Sequence, residues 1–258
     1  MSEEGPTIQR LLRSDVRPAF GTLLAIVVFD MTTHTERGML VGAGKDEGML
    51  TAIQELRYEV YCLERHFIDP ARFPDKREFD EYDPASVHIA TIDKSGRMVG
   101  TLRLVLDSPL GFPLESNAGK LFPEFEALDR SKTAEISRLI VSRGDRRFGR
   151  TEALRRHHRV LLPLFRDMYR KSVSLNLEHW VVAMEPGLHR LLEGVLGLSF
   201  RPVGEPMDYY GEVIPYVAEI KEMERTLRQQ RPALFAYFQD TPAPQASASE
   251  LSTVSLAG

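Results

Sequence analysis

One cysteine, Cys62, is all that the sequence contains. That excludes an internal disulfide framework and a multi-cysteine zinc site, and it fits a reducing, cytoplasmic compartment. No metal-ligand spacing is visible, so no metal is expected. Charge of one sign is also scarce: 33 Lys and Arg stand against 37 Asp and Glu, a formal net charge of −4. A general nucleic-acid binder carries a strong basic excess, so nucleic acid is not an expected partner. Long hydrophobic runs are missing as well. Leu23 to Phe29 falls far short of the roughly 20 residues of a membrane helix, and no integral membrane insertion is expected. Arg10, Arg13 and Arg17 precede this run like the charged start of an export signal. Asp30, Met31 and Thr32 follow it, where a small-residue cleavage site would stand, so it reads as a buried strand.

What is present is enough for a core: 43% of the 258 residues are apolar. Residues 1–45 read as an N-terminal arm with a first strand, residues 31–45 being a loop. Residues 46–240 read as one α/β domain, and residues 241–258, without aromatics and rich in Ser, Ala and Pro, as a disordered tail. Leu50, Ile53, Leu56, Val60 and Leu63 recur every three or four residues and predict a helix from Asp46 to about His66. A proline-bearing acidic loop follows over residues 68–85. Val87–Thr91 and Met98–Leu106, joined by Lys94-Ser95-Gly96-Arg97, predict a hairpin. Residues 107–131 are irregular. Thr133–Ser142 is β-like, and a helix spans about Thr151–Lys171 with a kink expected at Pro163. Strands at Trp180–Met184, Leu198–Pro202 and Val213–Ile220 alternate with helices at Leu188–Val195 and Lys221–Gln230.

The informative residues are charges inside apolar strands. Arg103 is flanked by Leu102 and Leu104, and Glu135 and Arg138 interrupt a run that ends Leu-Ile-Val. A buried unpaired charge costs several kcal/mol, so each needs a partner. Arg57, Arg103 and Arg138 against Asp80, Asp83 and Glu135 give a balanced cluster at one end of the sheet. It is either a set of structural ion pairs or the wall of a cleft. Glu135 and Arg138 are three apart and would face opposite sides of a regular strand. A bulge between them is therefore expected, and it would leave a backbone N–H free to hold an oxyanion.

A strand, a basic glycine-bearing turn and a helix N-terminus follow one another at Ser142–Thr151, which is an anion-binding arrangement. Arg146-x-x-Gly149-x-Thr151 is similar to the pyrophosphate loop of GCN5-related N-acetyltransferases, with Thr at the last position in place of Gly or Ala. Arg143, Arg147 and Arg150 add charge that suits a phosphopantetheine phosphate or an acidic carrier protein.

In order along the chain, Arg57-x3-Tyr61, Phe67, Asp80-x2-Asp83, Gly100-Thr101-Leu102-Arg103-Leu104 and Glu135-Ile136-Ser137-Arg138 resemble the signature of acyl-homoserine lactone synthases. The set resembles still more closely the N-acyl amino acid synthases and the bacterial acyltransferases that accompany exosortase systems, and Leu56–Glu64 and Glu135–Leu139 resemble the last group closely. The resemblance covers roughly residues 50–200. It implies a GCN5-related N-acyltransferase (GNAT) fold, α/β, with a mixed central sheet of splayed strands flanked by helices. It also implies an acyl thioester co-substrate (acyl-carrier protein or acyl-CoA), an amine acceptor and no tightly bound cofactor. Phe67 stands where the lactone synthases usually have tryptophan, and the chain is longer at both ends. Both departures favour an amino-acid amine over S-adenosylmethionine as acceptor.

The same resemblance suggests roles. Glu135 is the expected base, a backbone N–H near Ser137–Leu139 the oxyanion donor, and Ser137 an orienting group. Arg103 and Arg138 are expected to bind the acceptor carboxylate, with Asp80 and Asp83 holding the amine or locking the arginines. Arg57, Tyr61 and Phe67 would fold the N-terminal helix over the acceptor. Leu161, Leu164, Phe165 and Trp180 are candidates for either an acyl tunnel or the core. Cys62 reads as a buried inert thiol, and His88 as a structural histidine. Three readings remain: an N-acyl amino acid synthase, a lactone synthase, and a non-catalytic acyl or carrier-protein binding module.

Overall fold

The computed structural model describes residues 37–41, 47–117, 119–142 and 150–239. The strand expected at Leu23–Phe29, residues 143–149 of the basic turn and the tail at 241–258 lie outside the described residues. The chain runs β1 (Arg37–Val41), α1 (Glu47–Tyr58), β2 (Ser86–Ile92), β3 (Met98–Leu106), α2 (Pro113–Asn117), α3 (Pro123–Glu126), β4 (Thr133–Val141) and α4 (Arg150–Ser174). It continues through β5 (His179–Met184), α5 (Pro186–Leu191), β6 (Arg201–Pro202), β7 (Met207–Asp208), β8 (Glu212–Glu219), α6 (Ile220–Gln230) and α7 (Pro232–Gln239). Sheet order is β1-β2-β3-β4-β5-β8-β6, with β7 pairing β8 alongside. β4 and β5 are parallel and the other pairs antiparallel, so the expected mixed α/β sheet is present.

Local chemistry explains most of these elements. In the β2–β3 turn, Asp93 Oδ1 accepts the N–H groups of Ser95 and Arg97 at 2.9 and 3.1 Å, and Gly96 takes the left-handed φ of +82°. Four expectations change. β1 falls in residues read as a loop and is recruited by antiparallel pairing to β2. The strand expected at Leu198–Pro202 shrinks to Arg201–Pro202. The helix that begins with α1 winds more widely as a π-helix over Glu59–Glu64, which breaks the apolar stripe and leaves Leu63 exposed. α4 runs on past Pro163 as one helix to Ser174.

Side chains alternate across the sheet. Leu102, Leu104, Ala134, Ile136 and Trp180 join Leu161, Leu164, Phe165 and Met168 of α4 and Leu227 and Phe238 of α6 and α7 in the larger core. Val105, Val181 and Val217 join Phe112, Leu114 and Phe125 in a second core. The charged strand residues belong to this second side. On the α4 side, a Cβ at Gly100 would lie 2.3 Å from Val160 Cγ1 and 3.0 Å from the Ile140 carbonyl oxygen. The helix therefore packs on β3 only because that position has no side chain. Gly100→Ala is expected to destabilise by about 1–3 kcal/mol, the usual cost of overpacking, as read by chemical denaturation.

The β4–β5 ladder is short. It joins Thr133, Ala134 and Glu135 to His179, Trp180 and Val181 and then stops. On β4's other side, Thr101 pairs with Ile140 but Arg103 with Ser137, so β4 carries one extra residue there. Arg138 takes φ +54° within that extra step. The bulge expected between Glu135 and Arg138 lies one step on, at Arg138–Leu139, between Ser137 and Ile140. It bends β4 away from β5, and the two strands part beyond Glu135.

Candidate active site

Three arginines and three carboxylates interlock on the second side of the sheet. Arg57, fully buried at the end of α1, bonds Glu78 and reaches both Asp83 oxygens at 2.9 and 3.1 Å. Arg103 Nη1 bonds both Asp80 and Asp83, its Nη2 donates to Asp80 at 3.0 Å, and its Nε donates to Ser137 Oγ at 3.0 Å. Arg138, turned inward by the bulge, bonds Glu78 at 2.9 Å and Asp80 at 3.0 Å and lies 5.4 Å over the Tyr61 ring. Burial alone would raise the Asp80 and Asp83 carboxyls, but the surrounding arginines hold both below the ordinary value.

The third carboxylate of this cluster is Glu78, not Glu135. Sequence reasoning missed it because Glu78 lies in the run Lys76-Arg77-Glu78-Phe79-Asp80-Glu81, where nothing separates it from the exposed Glu81. A bond from its own N–H to the Gln54 carbonyl, 3.0 Å, ties this loop to α1 and turns Glu78 inward. The cluster also alters the expectation for Arg103 and Arg138. Most of their N–H groups are committed to protein carboxylates, so their first role is to lock loop to sheet. His88, cross-strand partner of Arg103, is buried beside Asp83, and burial lowers its basicity. Cys62 is buried and its thiol is pushed up by burial, as expected of an inert thiol.

Where β4 and β5 part lies a cavity of about 370 Å³. Tyr61, Arg65, Phe67, Tyr209 and Tyr210 line one part of it. Phe165, Leu188, Leu192 and Phe200 line another, with Glu135, Ser137 and Arg138 on the β4 wall. Of the four tunnel candidates only Phe165 lines the cavity. Leu161, Leu164 and Trp180 are core residues, because they stand on the α4 side of the closed part of the sheet. Phe67 stacks on Tyr61 at 6.3 Å and on Tyr210 at 5.3 Å between ring centroids. Tyr209 and Tyr210 were not anticipated; their only sequence signal is an aromatic pair before Gly211 in what becomes the β7–β8 turn.

Glu135 is almost fully buried and makes no ion pair among the described residues. Its Oε2 accepts the Leu114 N–H at 2.8 Å, at the start of α2. Burial pushes the carboxyl up to about 8, against the weaker pull of that N–H and of Arg103 and Arg138. Ser137 Oγ uses a lone pair on Arg103, which leaves its O–H proton available to the cavity. A proton acceptor tuned near neutrality therefore stands beside a hydroxyl donor and the extra backbone N–H of a bulge. Those are the parts needed to take a proton from an attacking group and stabilise an oxyanion.

Residues 56–155 match the family described as the acetyltransferase (GNAT) domain. That stretch is similar to a GNAT acetyltransferase domain. The match includes the whole charge cluster and Glu135, Ser137 and Arg138. Solved structures similar to the chain include BjaI, described as a CoA-dependent acyl-homoserine lactone synthase with SAM and isopentyl-CoA. It is 22% identical, with 84% of this chain and 98% of BjaI covered and a TM-score of 0.58. TofI, in a ternary complex with an inhibitor and MTA, is 19% identical over 77% of this chain and 99% of TofI, with a TM-score of 0.57. The AHL synthase LasI is 17% identical over 82% and 98%, with a TM-score of 0.56. At these identities the likeness is one of fold. No curated protein matches the chain. No helix among the described residues is long and apolar enough to cross a membrane.

Proposed function

We propose that the chain moves a fatty acyl group from a phosphopantetheine thioester to the amine of an amino acid or related small acceptor. The observation that carries this reading is the buried Glu135 carboxyl at the point where β4 and β5 part, inside a cavity polar at one end and apolar at the other. The acyl chain takes the apolar end, against Phe165, Leu188, Leu192 and Phe200. The amine gives a proton to the Glu135 carboxylate and its nitrogen bonds to the thioester carbon. A backbone N–H of the β4 bulge holds the developing oxyanion and Ser137 orients the amine. Collapse breaks the C–S bond, and the thiolate takes up a proton to leave as the free pantetheine thiol. Arg57, Arg103 and Arg138 with Asp80 and Asp83 keep the β4 wall and the N-terminal segment in place, and Tyr61 and Phe67 cover the acceptor.

Acyl-carrier protein is the proposed donor and acyl-CoA the other candidate. Arg143, Arg146, Arg147, Gly149, Arg150 and Thr151 are proposed to hold the pantetheine phosphate and to receive the carrier. Of these, Arg150 and Thr151 begin α4, and the others lie outside the described residues. The proposed setting is the bacterial cytoplasm, in company with an exosortase system. Mass spectrometry of lipid extracts from a host overproducing the chain names donor chain and acceptor together. Acyl amino acids are expected. Acyl-homoserine lactones would move the assignment to a synthase using S-adenosylmethionine. Purified chain that binds acyl thioesters yet yields no acylated product would favour a non-catalytic binding module.

A further inference from the structure

Among the described residues, all but two of the charges on the cavity wall are spent. Arg65, Glu135, Arg138 and Glu185 are the charge-bearing residues that line it. Arg138 is neutralised by Glu78 and Asp80. Glu135 is buried, shares its oxygen with the Leu114 N–H, and at neutral pH is largely uncharged. Glu185 is exposed at the end of β5, where α5 begins. Among the described residues Arg65 is the remaining cation of the wall. It is exposed, and its side chain has no ion pair or hydrogen bond among the described residues.

Its location is fixed by the backbone. Arg65 ends the π-helical turn, where its N–H donates to the Val60 carbonyl at 2.9 Å. His66 then takes φ +55°, and the Phe67 N–H returns to the Tyr61 carbonyl at 2.8 Å. The sharp bend puts Arg65 and Phe67 on one rim of the cavity, where Phe67 stacks between Tyr61 and Tyr210. A guanidinium beside aromatic walls works in a lower local dielectric than open water gives, which strengthens its attraction for an anion. The opposite end of the cavity is apolar. The polar reactant therefore belongs at the Arg65 end.

Resting on the acyl-transfer reading above, we infer that Arg65 selects the acceptor by its carboxylate, so that the substrate class is amines that carry a free carboxylate close to the nucleophilic nitrogen. Arg65 does not touch the reacting atoms; it is a specificity residue. The anion-binding role foreseen for Arg103 and Arg138 passes to it because theirs is already filled by protein carboxylates.

The test uses the full chain, acyl-carrier-protein and acyl-CoA donors in parallel, and a panel of proteinogenic amino acids with the matching amino acid carboxamides. The wild type is expected to prefer each acid to its amide by roughly tenfold or more in kcat/KM, mainly through KM, as a charge-assisted Arg–carboxylate contact implies. Arg65→Ala should bring that ratio close to one, and Arg65→Lys should restore part of it. Equal use of acid and amide by the wild type would overturn the inference, as would a ratio unchanged in Arg65→Ala. Calorimetric titration of the same acids and amides into the chain gives the ratio without turnover. Acid-selective binding lost in Arg65→Ala, with no acyl transfer to any amine, would keep the carboxylate site and overturn the acyl-transfer reading alone. Non-selective binding would overturn the inference whatever the turnover.

Discussion

Glu135→Gln should lower kcat/KM for acyl transfer by roughly 10²- to 10⁴-fold, the usual contribution of a positioned base. Glutamine keeps the shape of the side chain, and its carbonyl oxygen can still accept the Leu114 N–H, so the fold is not disturbed. The pH dependence separates this loss from a merely structural one. Wild-type activity should rise with pH through about 8, as the buried carboxyl gives up its proton. The variant should lose that limb and keep only whatever limb belongs to the acceptor amine. Unchanged product yield in the variant would remove Glu135 from the mechanism.

The same substitution has a stability signature of opposite sense. Unfolded, a glutamate loses its proton near the ordinary value of 4.5; folded, Glu135 keeps it to about 8. Between those values the folded state binds a proton that the unfolded state has released, so its contribution falls as pH rises through this window. Glutamine has no charge to bury. Glu135→Gln should therefore melt above wild type at pH 9 and close to it at pH 4. A variant both less active and more stable at alkaline pH marks a group that is held in place for its chemistry.

Removing one member of the charge cluster should be the largest stability change in the molecule. Arg103 is 1% exposed and bonds Asp80, Asp83 and Ser137. Arg103→Ala leaves two carboxylates in a partly dry site with too little positive charge, which typically costs about 3–5 kcal/mol. For a domain of this size that is a drop of about 6–20 °C in melting temperature. Calorimetry would test it, and a shift under 2 °C would mean that water reaches the cluster freely. The wild type also carries an acid limb from this cluster. Asp80 and Asp83 titrate below their ordinary value when folded, so the stability they contribute is present above the ordinary carboxylate range and lost as pH falls through their folded values. That limb should be flatter in Arg103→Ala.

The two sets of acidic groups behave in opposite ways for one reason. Asp80 and Asp83 meet guanidinium groups directly, and attraction exceeds the cost of burial. Glu135 lies on the same strand side as Ser137 but is directed to α2, where a single N–H cannot offset that cost. The site thus holds its scaffold charged and its proton acceptor neutral at pH 7.

How much of this was legible beforehand depended on distance along the chain. The β2–β3 hairpin could be read because its signals are local: alternation, a turn sequence, and apolar flanks. The bulge was foreseen from parity, since Glu135 and Arg138 are an odd number of residues apart and both were expected in one cluster, although only Arg138 joins it. β1 could not, because an edge strand takes its conformation from the neighbour it pairs with, here β2. Glu78 could not be told from Glu81, because only the loop's bond to Gln54 and the reach of Arg57 select one of them. The wall formed by Tyr209 and Tyr210 was equally hidden, being brought to Phe67 from more than a hundred residues away.

By itself, then, the sequence determined the α/β class, the hairpin, the long α4, and the presence of buried charges that had to cancel, since burial and periodicity are properties of composition and spacing. Tertiary structure alone decided which carboxylate completes the cluster, that Arg103 and Arg138 are spent on it, and that Arg65 is left over at the cavity rim. Those outcomes depend on which groups meet across loops and strands far apart in the chain, where a difference of one hydrogen bond separates a paired charge from a free one.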